Sequence, residues 1–204
     1  MTRLIEATAT EYNGITFRSK TEAKWAVFLD ALEIKFEYEK RTIPLSISKQ
    51  YLPDFFLPQL NAFLEVKPDN EEIVIEECIK ARCLAKDDKT KKVWLAIGLP
   101  KERVGNILPL SQWNDSTSIQ DILGENRNRY YFCEDRRDKG IFWLQSDDFV
   151  GEMFAHSYCV GGWGTSTDHM KPPYISDRIK RAHQLALQNY KAKITTNEDI
   201  SKKT

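Results

Sequence analysis

Apolar and polar positions along the chain change period several times, and each change marks an element. Glu11-Tyr12 and Ile15-Thr16-Phe17 flank Asn13-Gly14, a dipeptide that closes two-residue hairpins. Beyond Ser19, a natural N-cap, the stripe Glu22, Trp25, Ala26 and Leu29 has i, i+3, i+4, i+7 spacing and predicts a helix from about Thr21 to Leu32. One member of that stripe is a carboxylate. Three short apolar runs follow at Ile34–Glu39, Tyr51–Leu57 and Ala62–Lys67, and Pro58 with Gln59-Leu60-Asn61 gives the last two a tight, antiparallel connection. A second helix is predicted over Glu71–Ala85, with acids early and Lys80, Arg82 and Lys86 late, followed by a buried strand at Val93–Ile97. Helix, three strands, helix, strand is an α/β order, and the expected core is a mixed sheet flanked by helices. Further on, Arg129–Cys133 and Ile141–Leu144 read as a hairpin around Asp135–Gly140. Ser176 to about Lys191 reads as a last helix, and the tail from Thr195 as frayed.

Composition agrees with this picture. A chain of 204 residues with 41% hydrophobic residues can bury a sizeable core. No run of eighteen apolar residues exists, so no membrane span is expected, and the first residues lack the apolar stretch of a secretory signal. Four cysteines do not make a disulfide framework, and a cytoplasmic protein is the default. Net charge is zero, but its distribution is uneven. Residues 1–100 hold 15 basic and 16 acidic groups, residues 101–170 hold 7 and 11, and residues 171–204 hold 8 and 3. The basic C-terminal element suits a phosphate backbone or a solvated helix face equally well.

Three polar residues do not fit a core. Asp54 interrupts the apolar run Leu52–Leu57, and strand alternation at Phe63–Lys67 sends Glu65 and Lys67 to one face. Where the two strands pair, Asp54 comes close to Glu65. Two carboxylates held together out of water need a counter-charge or a proton. A hard divalent cation meets that need with oxygen ligands and can activate a phosphodiester toward water. Lys67 would then stand beside the metal as a positive charge for the nucleophile or transition state. The plainer reading is a buried ion pair of Lys67 with one of the acids, although two acids and one base leave a charge unmatched.

The run Pro53-Asp54, ten residues, then Glu65-Val66-Lys67 resembles the signature of the PD-(D/E)xK, or restriction-endonuclease-like, nucleases. The resemblance is to small phage and bacterial members, through "FRSKTEAKWAVFLDAL", "YLPDFFLP" and "FLEVKP", and it spans about residues 14–100. It implies a restriction-endonuclease-like core and a nuclease using Mg²⁺ or Mn²⁺. Asp54 and Glu65 would be metal ligands, with Lys67 catalytic beside them. Glu22 is the further acid that such a helix often carries to the metal. Ser19-x-x-Glu22 also has capping-box spacing, so Glu22 has a purely structural reading as well. DNA is the substrate the resemblance favours, with RNA left open, and a homodimer cutting both strands is a further implication. If phage-encoded, the protein would work in the bacterial host cytoplasm.

Other candidates carry weaker signals. Lys80 on the second helix, and Arg178 and Arg181 on the last, are candidate nucleic-acid contacts, and Trp113 and Trp163 could stack on an unpaired base. Cys133, His156, Cys159 and His169 imitate a zinc set without its spacing, and Cys78 and Cys83 fit a helix core. Residues 1–100 are expected to form the nuclease core, 101–192 an elaboration packed on it within the same domain, and 193–204 a flexible tail. Two readings compete with the nuclease. One is a noncatalytic nucleic-acid-binding module on the same fold, the other a phage protein that inhibits a host complex by protein–protein contact.

Overall fold

Asn13 and Gly14 both adopt left-handed backbone, φ 49° and 75°, and join β1 (Thr10–Tyr12) to β2 (Ile15–Phe17) in antiparallel register. A two-residue hairpin turn needs positive φ at both positions, and Gly14 supplies it at no steric cost. In this computed structural model, residues 9–69, 75–102, 105–124, 129–134, 141–145, 153–157, 175–188 and 195–196 are described. Ser19 caps α1 (Lys20–Ala31), its hydroxyl accepting from the Glu22 amide at 3.1 Å. The helix starts one residue before the predicted span, with Leu32 as its C-cap. The chain continues through β3 (Glu37–Tyr38), β4 (Ile43–Pro44), β5 (Gln50–Tyr51), β6 (Phe55–Leu57) and β7 (Ala62–Lys67). Then come α2 (Ile75–Asp87), β8 (Lys92–Ile97), β9 (Ile107–Pro109) and α3 (Ile119–Gly124). The last elements are β10 (Tyr131–Glu134), β11 (Ile141–Gln145), β12 (Met153–Ser157), α4 (Asp177–Leu187) and β13 (Thr195–Thr196).

The central sheet has the order β3-β6-β7-β8-β9. β7 and β8 run parallel and the other neighbours antiparallel, so the sheet is mixed. A parallel pair needs a crossover, and α2 provides it between β7 and β8. Helices cover both faces, which is the α/β architecture that the order of elements predicts. On one face Phe55, Leu57, Leu64, Val66, Trp94 and Ala96 pack with Trp25, Phe28 and Leu29 of α1. α4 closes that layer with Ile179, Ala182 and Ala186, and Phe132 sets its ring edge against Phe28 at 5.5 Å. Because α1 lies between sheet and α4, its buried set (Ala23, Val27 and Phe28 included) is wider than a single stripe. On the other face Phe63, Val93, Leu95 and Ile97 pack with Cys78, Ala81, Leu84 and Ala85 of α2 and with Ile119 and Ile122 of α3. Each such leucine or isoleucine contributes roughly 1.5–3 kcal/mol by leaving water, an upper estimate because denatured chains already bury some surface.

Several elements differ from the sequence-based expectation. The run Ile34–Glu39 pairs only at Glu37–Tyr38, bounded by the left-handed residues Glu33 (φ 59°) and Glu39 (φ 44°). Tyr51–Leu57 is two strands. Pro53 has no N–H to give a ladder, and the Asp54 amide turns toward the Glu65 side chain, so Tyr51 pairs with Ile43 instead. α2 extends to Asp87, while residues 71–74 of the predicted helix lie outside the described residues. α4 stops at Leu187, where Gln188 becomes extended, short of Lys191. The predicted hairpin forms as β10 and β11, and β12 adds a third antiparallel strand that no pattern foretold, as is also true of β9 and α3. Thr195 and Thr196, in the stretch expected to fray, pair with Glu11 and Thr10 of β1. Among the described residues no helix is long and apolar enough to cross a membrane.

Candidate active site

The β6–β7 register pairs Phe55 with Leu64, so the next opposed pair is Asp54 and Glu65. Phe55, Leu57, Leu64 and Val66 face α1. Asp54, Glu65 and Lys67 therefore share the other face, as alternation predicts. Both acids are buried. The register sets the two carboxylates side by side, and Glu65 Oε2 lies 3.4 Å from the Asp54 amide.

Each carboxylate is held in the same two-sided way. Asp54 Oδ2 accepts from the Val66 amide at 2.8 Å, and Glu65 Oε2 accepts from the Tyr51 hydroxyl at 2.5 Å. Those donors belong to the scaffold. The other oxygen of each acid meets a cationic side chain, Arg18 Nη2 at 3.1 Å from Asp54 Oδ1 and Lys67 Nζ at 2.6 Å from Glu65 Oε1. Arg18 is 60% exposed and Lys67 13%, so the cations stand between the buried acids and solvent. The same Arg18 Nη2 forms an ion pair with Glu39 at 2.5 Å, and the Glu39 amide donates to the Asp54 carbonyl at 2.9 Å.

These charges perturb one another. Burial and then the Glu65 charge push the Asp54 carboxyl well above the ordinary carboxylate range, with Glu22 adding to the shift and Lys67 and the Val66 amide opposing it. Burial also raises Glu39, which feels Arg18 in the opposite sense and Glu22 and Glu65 in the same sense. Burial works against the Lys67 ammonium, but Glu65 and Asp54 outweigh it and its affinity for a proton rises. Lys67 is therefore a cation at this site, not a ready proton acceptor.

Glu22 is buried at the head of α1. Its Oε1 accepts from the Ser19 hydroxyl at 2.7 Å, and its Oε2 accepts from the Tyr38 hydroxyl at 2.5 Å and the Arg18 amide at 3.2 Å. The capping relation is thus present, displaced by one residue because the back-bond goes to Arg18 rather than Ser19. Glu22 reaches Asp54 through its field, while its own oxygens are occupied by the helix entrance and Tyr38.

The other sequence candidates lie elsewhere. Lys80 on α2 pairs with Glu77 at 2.8 Å, not with Glu76. Arg178 donates to the Leu32 carbonyl at 2.5 Å and pairs with Glu33 and Glu134, so it ties α4 to the end of α1 opposite Glu22. Arg181 is exposed beside it, lining a groove of about 480 Å³ with Ala31 and Leu185, remote from the acids. Trp113 packs at the edge of the α2-side core. Cys78, Cys83 and Cys133 are buried. Trp163, Cys159 and His169 lie outside the described residues, as does the side chain of His156.

Sequence reading missed Arg18, Tyr38, Glu39 and Tyr51. Tyr51 carried a signal, a phenol three residues before Asp54 at the start of an apolar run. The other three had none, since each reaches the site from an irregular or strand-end position. Among the described residues no three His, Cys, Asp or Glu side chains gather as a metal-holding group. The donor set that is present, two carboxylate oxygens facing cations, fits Mg²⁺, which is commonly held by one or two carboxylates with water and substrate phosphates completing its shell. Comparison of the chain with protein families, with curated proteins and with solved structures finds no match.

Proposed function

We propose that the chain is a divalent-metal-dependent nuclease that hydrolyses phosphodiester bonds, most naturally in DNA, on a restriction-endonuclease-like core. The observation that supports this reading is the paired arrangement of the acids. Asp54 and Glu65 each have one oxygen pinned by the scaffold and one turned to a positive charge. A site built only for stability gains little from two buried like charges, because desolvation offsets the attraction of their partners. A site built to receive a cation needs that pair, oriented and in tension.

Asp54 Oδ1 and Glu65 Oε1 are the oxygens that would hold Mg²⁺ or Mn²⁺. Bound there, the ion supplies polarisation of the phosphodiester and an acidified water. Val66 and Tyr51 keep the two carboxylates from turning away. Lys67 stays charged and lies on the solvent side of Glu65, where it orients the attacking water or offsets charge that develops on the phosphoryl oxygens. Glu22 adds negative potential from the head of α1 without leaving its cap, and Lys80 on α2 would contact the substrate backbone.

The test is purified protein incubated with circular DNA, linear DNA and RNA in Mg²⁺, Mn²⁺ or EDTA, beside Asp54→Ala and Lys67→Ala. Cleavage is expected only with a divalent ion and is lost in both variants while their thermal unfolding stays cooperative. Loss of linear but not circular DNA would assign exonuclease action. Cleavage that survives EDTA or Asp54→Ala would refute the assignment. DNA binding without cleavage in every metal would leave a noncatalytic binding module.

A further inference from the structure

We infer that Arg18 is an exchangeable counter-cation, which closes the Asp54 oxygen in the metal-free protein and passes to a substrate phosphate when a divalent ion takes its place. The inference rests on the metal-site reading above. Four observations carry it. First, Arg18 reaches the site from the turn before α1, across 36 residues of sequence, and is 60% exposed although its partner is buried. A side chain with that exposure can leave without opening the core. Second, it uses one nitrogen, Nη2, for both Glu39 and Asp54, so it acts as a point charge and not as a two-pronged clamp. Third, it occupies Oδ1, the Asp54 oxygen that the scaffold leaves to it, whereas Oδ2 is fixed by Val66. Fourth, its backbone is anchored independently of its side chain, the amide donating to Glu22 and to the Tyr38 hydroxyl at 3.2 and 3.0 Å. The guanidinium can therefore swing while its root stays at the rim of the site.

A cation and Arg18 cannot share one oxygen at full strength. Entry of the ion costs the Arg18–Asp54 pair, and loss of that pair frees a guanidinium suited to phosphate oxygens. Metal and nucleic acid then reinforce one another through one side chain. Lys67 does not behave this way, because it is 13% exposed against 60% for Arg18 and grows from the same strand as Glu65.

The experiment measures Mn²⁺ binding by calorimetry to the wild-type chain, the uncharged Arg18→Gln and Arg18→Met, and the charge-keeping Arg18→Lys. Folding of each is checked by circular dichroism. Removing the charge is expected to tighten Mn²⁺ binding about fivefold or more, while Arg18→Lys stays near wild type. A second arm measures affinity for a short labelled DNA duplex with and without Ca²⁺. Arg18→Gln should weaken that affinity about tenfold with Ca²⁺ and leave it nearly unchanged without, where Arg18 is held by Asp54 and Glu39. Equal or weaker Mn²⁺ binding by both uncharged variants overturns the exchange and leaves the nuclease reading intact. So does an equal loss of DNA affinity with and without Ca²⁺. Absence of Mn²⁺ uptake by every protein overturns the exchange and the metal site together.

Discussion

Tyr51→Phe isolates the group that pins Glu65. The Tyr51 hydroxyl is buried and donates to Glu65 Oε2 at 2.5 Å. Burial, followed by the Glu65 charge, raises its own ionisation well above the ordinary phenol range, so it remains a donor at any working pH. Phenylalanine keeps the ring packing and removes only the oxygen, so the change is chiefly the loss of one bond to a charged acceptor. The Asp54 amide at 3.4 Å is too long to replace it. Such bonds contribute about 1.5–3 kcal/mol, and a destabilisation of about 2 kcal/mol is expected. For a chain of this length that lowers the thermal midpoint by about 4–8 °C. The assay is metal-free denaturant unfolding of Tyr51→Phe, Glu65→Gln and the double variant, arranged as a cycle. A coupling of about 1–2 kcal/mol between the two positions is expected. A coupling under about 0.5 kcal/mol would show that Glu65 does not depend on Tyr51, and the two-sided holding of the acids would fall with it. The variant should also bind Mn²⁺ more weakly, because a carboxylate free to rotate loses its preset direction.

Two further outcomes follow from other parts of the fold. Gly98 closes β8 with φ 76°, and a Cβ there would sit 2.7 Å from the Asp69 Cβ. Gly98→Ala is expected to destabilise the protein by more than about 1 kcal/mol in thermal denaturation, and an unchanged midpoint would mean the strand end at Gly98 is not held as described. His183 is buried against Phe28, and burial lowers its pKa, with Glu102 pulling the other way. A depressed native pKa means the unfolded chain binds the proton first as pH falls, so this group's stability is intact above about pH 6.5 and is lost as pH drops through the native value. His183→Leu should therefore show a shallower fall in melting temperature between neutral and mildly acid pH, and parallel curves for the two proteins would contradict the shift.

Much of the site was legible because a strand has a period of two. Alternation in Phe63–Lys67 alone puts Glu65 and Lys67 on one face, and Pro58–Asn61 is a short enough connection to bring Asp54 opposite Glu65. The Ser19–Glu22 spacing likewise announced a cap, and the cap is there. The limits are equally physical. Arg18 meets Asp54 through three-dimensional proximity, and no local pattern encodes that meeting. The break at Pro53-Asp54 was hidden by the hydrophobicity of the residues around it, which hold their places through burial and not through ladder bonds. Arg178 is a second such case, since its nitrogens serve the Leu32 carbonyl and two acids, contacts that no local pattern encodes.

Placing both acids on one tight hairpin makes their meeting a matter of counting. The Pro58–Leu60 turn and Asn61, at φ 49°, set how many residues separate Asp54 from Glu65. A slip of a single residue in that pairing would carry Glu65 and Lys67 through the sheet to the α1 side. Change in this segment is consequently parity-sensitive. Loops elsewhere can grow or shrink by degrees, whereas here a design or a descendant either preserves the count or abandons the site.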